Sequence, residues 1–142
     1  MSKRLLLIDD DSDDRDLFYE VLQDIDTTLD CQLEDSCQEA LQKLEKRQIA
    51  HPDLIFLDIN MPIMNGWECL TQLKKERNHE SIPVIMYSTS DHIADQDKAH
   101  QLGALGLVTK PSEYKKLKTL LNRILHHLET DTLTRQVIRS IV

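Results

Sequence analysis

Long apolar runs, paired cysteines and an excess of positive charge are all missing from this 142-residue chain. Its longest uncharged apolar stretches are four residues, as at 5–8 and 54–57, whereas a bilayer span needs about 20. A membrane span and a signal-peptide core are therefore excluded, and a cytoplasmic protein is expected. The three cysteines, Cys31, Cys37 and Cys69, are odd in number and form no Cys-x-x-Cys pair. That pattern argues against a disulfide framework or a zinc site and predicts buried thiols. A formal net charge of -8 leaves no cationic face for a phosphate backbone, so no nucleic-acid partner is expected. Linkers, repeats and low-complexity stretches are absent as well, and 40% hydrophobic residues suffice for one folded domain.

The charge that is present is unevenly placed. Residues 9–35 hold twelve of the 25 acids against one base, Arg15, whereas residues 110–142 hold seven Lys/Arg against three acids. An acidic block is usually a solvated face. Here it starts directly behind the aliphatic run Leu5-Leu6-Leu7-Ile8, which reads as a strand buried on both faces.

The same signature recurs. Residues 54–57 end in Asp58, residues 84–87 end in Ser88, residues 105–109 end in Lys110, and residues 31–34 form a weaker, edge-like strand. Patterns of roughly 3.6-residue period lie between them, with Ser36-Cys37-Gln38-Glu39 matching a capping box and Gly103 a left-handed helix end. After Pro111, the stripe Leu117, Leu120, Leu121, Ile124, Leu125, Leu128 marks the clearest helix. Five strands alternating with helices predict an α/β protein with a doubly wound parallel sheet.

In such sheets ligands bind beyond the carboxyl ends of the strands, where the winding reverses. In the flavodoxin-like order 2-1-3-4-5, the first and third strands are neighbours there, so Asp9, Asp10 and Asp58 would converge. Each pair of carboxylates about 4 Å apart costs roughly 4 kcal/mol at an effective dielectric of 20, so a proton or a cation must intervene. An all-oxygen site suits Mg²⁺. With Lys110 and the Ser88 hydroxyl at the same edge, the inventory is that of phosphoryl chemistry, and Asp58, alone at its strand end, is the candidate nucleophile. Two other patterns fit less well. Asp9, Asp11, Asp13 and Glu20 sit at calcium-loop spacing, but Asp14 replaces the glycine such a loop needs. Asp9-x-Asp11 resembles a haloacid-dehalogenase-type phosphatase, yet Asp13 stands where that motif has Thr or Val. A phosphorylation-independent interaction module is the third alternative.

Ile8-Asp9-Asp10, Leu57-Asp58-Ile59-Asn60-Met61-Pro62 with Asn65-Gly66 behind it, Ser88, and Thr109-Lys110-Pro111 together resemble the receiver domain of two-component response regulators, over residues 3 to about 128. The acidic run and Ser88-Thr89-Ser90 resemble stand-alone cyanobacterial phytochrome-partner receivers in particular. The resemblance implies that Asp58 accepts a phosphoryl group from a sensor histidine kinase or a histidine phosphotransfer protein. It further implies that Asp9, Asp10, Asp58 and the main-chain carbonyl of Asn60 bind Mg²⁺, that Lys110 and Ser88 hold phosphoryl oxygens, and that output is read by an unknown downstream protein through contacts. One position departs from the family: Leu107 stands where an aromatic switch residue is common.

Residues 1–128 are thus expected to form the receiver and residues 129–142 a helical tail. Thr130-Asp131-Thr132 supply N-capping residues, and Leu133, Val137, Ile138 and Ile141 an apolar face. That face needs a surface, either on its own domain or, as favoured from the sequence, on a second chain in a homodimer.

Overall fold

The computed structural model describes residues 3–90 and 92–141; Met1, Ser2, Asp91 and Val142, which the expected receiver and tail ranges include, lie outside the described residues. The elements run β1 (Arg4–Ile8), α1 (Ser12–Ile25), β2 (Asp30–Glu34), α2 (Cys37–Glu45), β3 (Leu54–Asp58), α3 (Gly66–Lys75), β4 (Val84–Ser88), α4 (Ile93–Gln101), β5 (Gly106–Thr109), α5 (Tyr114–Glu129) and α6 (Arg135–Ile141). The strands form one parallel sheet in the order β2-β1-β3-β4-β5.

Alternation along each strand divides the core in two. Leu6, Ile8, Ile55, Leu57, Val84, Met86 and Leu107 face α2, α3 and α4. Leu5, Leu7, Leu54, Phe56, Ile85, Tyr87 and Val108 face α1 and α5. The central strands are apolar on both faces because both are covered, which is why they read as unbroken runs. Phe18, Phe56 and Tyr87 pack edge-to-face at centroid separations of 5.0–6.0 Å.

Short-range signals fix several helix ends. The Asp11 carboxylate accepts from the N–H groups of Asp13 and Asp14 and starts α1, so the acidic run is a helix N-terminus and not a calcium loop. Ser36 accepts from the Glu39 N–H, and Asn65 and Glu68 form a reciprocal capping box. Gly103 takes the left-handed conformation expected after α4, with φ 97°.

The structure corrects two expectations. Cys37 and Cys69 are joined in a disulfide, with Cα atoms 5.8 Å apart, and Cys31 alone is free. The local spacing test failed because these residues, 32 apart in sequence, meet only when α2 and α3 pack side by side. The tail also packs on its own domain, whereas the sequence reading had favoured a second chain as its surface. It starts later than the sequence suggested, with Thr134 accepting from the Val137 N–H. Its Ile138 is 1% exposed and joins the α1/α5 core beside β5. Gly106 makes room for it: a Cβ there would lie 2.8 Å from Ile138 Cγ2. The turn before α6 includes Asp131 in a left-handed conformation.

Ile138→Ala should lower the unfolding free energy in urea by about 2 kcal/mol, in the range of buried large-to-small changes, while the exposed Arg139→Ala leaves it nearly unchanged. Equal, small effects of the two substitutions would show α6 undocked in solution.

Candidate functional site

Three strand ends deliver the polar residues. Asp9 follows β1, Asp58 closes β3 and Ser88 closes β4, all at the carboxyl edge of the sheet, with Lys110 directly after β5. Asp9, Asp58 and Ser88 are buried, at 0%, 4% and 0% exposure, while Asp10 and Asn60 are exposed. One carboxylate oxygen from each of Asp9, Asp10 and Asp58 lies within 4.8 Å of the others. The expected acidic cluster is therefore assembled.

Lys110 holds it together. Its Nζ lies 2.8 Å from Asp9 Oδ2, 2.9 Å from Asp14 Oδ2 and 3.3 Å from Asp58 Oδ1, and 5.4 Å from the centroid of the Tyr87 ring. Its backbone N–H donates to the Ser88 carbonyl, which ties the β5 end to the β4 end. Burial works against the Lys110 ammonium, but its contacts with Asp9 and Asp14 and the charge of Asp58 outweigh it, so its pKa is raised.

For the carboxyls the balance tips the other way. Burial, then repulsion from Asp9, pushes Asp58 up to about 7 against the pull of Lys110. Asp9 is likewise raised by burial, despite Lys110 and the Asp11 N–H that donates to its Oδ1. One ammonium does not neutralise three carboxylates. Asp9 Oδ2, fully buried, meets only a share of that one charge: Lys110 Nζ lies 2.8 Å away but also serves Asp14 and Asp58. Such an acceptor beside two more carboxylates fits a hard divalent cation with oxygen ligands, and Asp9, Asp10 and Asp58 are the residues that could hold it.

Two participants escaped the sequence reading. Asp14 was legible only as part of the acidic run, yet its place in the first turn of α1 aims it at Lys110. Tyr87 read as core, and it is core, but its ring also flanks the lysine. Ser88 Oγ accepts from the Ser90 N–H at 3.2 Å. Leu107, at the usual aromatic position, is fully buried, and its carbonyl accepts from Gln96 Nε2.

The loop behind Asp58 is tightly held. Gly66 N–H donates to the Ile59 carbonyl at 2.8 Å, and a Cβ on Gly66 would meet the Asp58 carbonyl oxygen at 2.2 Å, so only glycine fits. Within the loop Ile63 is 87% exposed and has φ 68°, a conformation β-branched residues rarely adopt.

A family model for the response regulator receiver domain matches residues 5–122. The chain belongs to that family. A crystal structure of the phosphorylated cyanobacterial phytochrome response regulator RcpA superimposes with a TM-score of 0.83 and 25% identity, over 92% of this chain and 96% of that one. The chemotaxis protein CheY of Halobacterium salinarum is 27% identical over 88% of this chain and 98% of its own. The probable transcriptional regulator ycf29 of Porphyra purpurea is 30% identical over 99% of this chain but only 63% of its own length. The chain spans about a third of two further regulators of that kind, 33% and 35% of their lengths. Receiver domains are in general signalling domains without an enzymatic activity of their own, and they bind Mg²⁺ at an acidic pocket, which the Asp9, Asp10 and Asp58 cluster fits. Among the described residues no helix is long and apolar enough to cross a membrane.

Because the folded protein favours the protonated form of Asp58, ionising it disfavours the metal-free fold. That cost is absent below the ordinary carboxyl value of 3.8, grows as pH rises, and is complete above about 7. With a chelator present, Asp58→Asn should therefore stabilise the protein at pH 8 by on the order of 2 kcal/mol and have little effect at pH 4. Urea titrations at the two pH values check this, and a pH-independent difference would contradict the shift.

Proposed function

We propose that this chain is a response regulator whose Asp58 takes a phosphoryl group from the phosphohistidine of a sensor histidine kinase or a phosphotransfer protein, in a Mg²⁺-dependent reaction in the cytoplasm. Residues 1–128 are the receiver and residues 129–142 an appended clasp. The observation that carries the reading is the buried Asp58 carboxylate 3.3 Å from Lys110, within the cluster it forms with Asp9 and Asp10.

In the transfer, an Asp58 carboxylate oxygen attacks phosphorus, the bond from phosphorus to the donor imidazole nitrogen breaks, and the imidazole leaves and takes up a proton. Lys110, now shared among three carboxylates, turns to a phosphoryl oxygen and offsets the charge that accumulates there. Among the described residues the Ser88 hydroxyl accepts from Ser90 N–H, and its own proton would go to a second phosphoryl oxygen once the side chain reorients. Asp9, Asp10, Asp58 and the Asn60 main-chain carbonyl would hold Mg²⁺, which would supply charge neutralisation of the carboxylates and phosphoryl oxygens. The domain thus catalyses only the gain and loss of its own phosphoryl group.

Signalling follows by contacts with a downstream protein. Leu107 is packed in the core, so an aromatic rotamer cannot carry the switch, and Ser88 must act through its own strand end and the Lys110 N–H that bonds it. A second copy of the chain would have to dock elsewhere than on α6's apolar face, because Ile138 is already buried. The phosphatase alternative loses its geometry: Asp11, which would be its second carboxylate, caps α1. A phosphorylation-independent module gives no reason to gather Asp9, Asp58, Ser88 and Lys110.

Acetyl phosphate with Mg²⁺ should add one phosphoryl mass to the intact protein. Asp58→Asn or a chelator should abolish the adduct, and Asp10→Ala should slow its formation by at least about tenfold. Equal labelling of Asp58→Asn and the parent would overturn the assignment.

A further inference from the structure

The Cys37–Cys69 disulfide lies at the functional edge of the molecule. Cys37 is the first residue of α2, directly after the capping Ser36 and three positions beyond Glu34 at the end of β2, and Cys69 sits in the first turn of α3. Cys69 N–H donates to the Asn65 carbonyl, Asn65 caps α3, and Gly66 is pressed on the Asp58 and Ile59 backbone. Within one helical turn the bridge therefore connects α2 to the backbone of Asp58 and to the loop bearing Asn60. That loop carries the left-handed Ile63, a conformation that persists only where its surroundings enforce it. On the other side, α2 buries just Cys37, Ala40 and Leu44 and is tied to β2 by the Lys43–Glu34 ion pair. A short helix so lightly anchored opens locally before the sheet does. Such opening gives access to sulfurs that are otherwise buried, in residues only 2% and 0% exposed.

We propose that Cys37 and Cys69 form a reversible thiol–disulfide site that fixes the β3–α3 loop on Asp58 when oxidised and loosens it when reduced. Its reactant class is a dithiol and the corresponding disulfide. One thiolate of the dithiol attacks a protein sulfur and breaks the Cys37–Cys69 bond. The second thiolate then resolves the mixed disulfide, so that the dithiol is oxidised by two electrons, the cysteines are reduced, and its two protons end on Cys37 and Cys69. The reverse exchange restores the bridge. In a cytoplasmic setting, disulfides are uncommon and those that occur tend to be transient and redox-sensing. Cys31 takes no part: it lies on β2, and burial pushes its thiol up to about 12, which leaves little thiolate.

The consequence for phosphorylation rests on the phosphoacceptor reading, whereas the tether does not, and the test separates them. Full-length protein is equilibrated with oxidised or reduced dithiothreitol, alkylated and weighed. Hydrogen exchange over residues 59–70, Mg²⁺ affinity and labelling by acetyl phosphate are then compared between the two forms. The oxidised form should block two of the three thiols from alkylation. Reduction should raise exchange over residues 59–70 about fivefold and weaken Mg²⁺ binding about threefold. A Cys37→Ala/Cys69→Ala double variant should match the reduced form under both treatments, while Cys31→Ser should respond like the parent. Three alkylatable thiols after native oxidation, or identical exchange and Mg²⁺ affinity in the two forms, would overturn the proposal. If the forms differ as expected but neither takes a phosphoryl group, the tether stands and the phosphoacceptor reading falls.

Discussion

Lys110 brings one positive charge into a buried pocket that already holds Asp9 and Asp58, with Asp14 and Asp10 at its margin. The arrangement at the carboxyl edge depends on that imbalance. Without the ammonium, the two buried carboxylates would repel each other in a site that burial makes electrostatically unforgiving. With it, they can lie together, yet burial keeps the pKa values of both Asp58 and Asp9 raised. The pocket thus retains unmet demand for positive charge. A divalent cation would answer that demand, and Lys110 touches all three of Asp9, Asp14 and Asp58.

This pocket can be polar because the rest of the sheet is not. Strands β1, β3 and β4 are covered on both faces, so beyond Arg4 at the amino edge they carry no charged residue until the chain reaches the carboxyl edge. Burial of Asp58, Ser88 and Asp9 follows from their being the first residues past that boundary. The helices that cover the sheet also shape the site: α1 supplies Asp14 from its first turn, and α3 begins with the glycine that lets its backbone rest on Asp58. Packing and chemistry therefore share residues, and a change in α3 bears on Asp58 through backbone contacts.

The parts of the site that were legible in the sequence are those set by short-range rules. Asp9, Asp58, Ser88 and Lys110 each end an apolar run, and a parallel sheet of this order has one edge where such residues can gather. Ser36, Asn65 and Gly103 mark helix ends through bonds or dihedrals confined to a few neighbours. Asp14 was not legible, since nothing in a run of five aspartates broken only by Ser12 tells which one faces inward; the rotation of α1 on the sheet decides it. Leu107 was legible as a departure, but its burial came only with the packing of α4.

The chain by itself determined the period of its elements, their order, and the chemical identity of the residues at their ends, because apolar patterning and capping act over one turn or one strand. Tertiary structure alone decided which distant residues touch. Cys37 and Cys69 are 32 positions apart and meet because α2 and α3 lie side by side. Ile138 finds its place because Gly106 leaves a gap beside β5 that no local pattern announces. Contacts of that kind depend on the relative placement of whole elements, which is fixed by the shape of the assembled core and not by any one segment's own preferences.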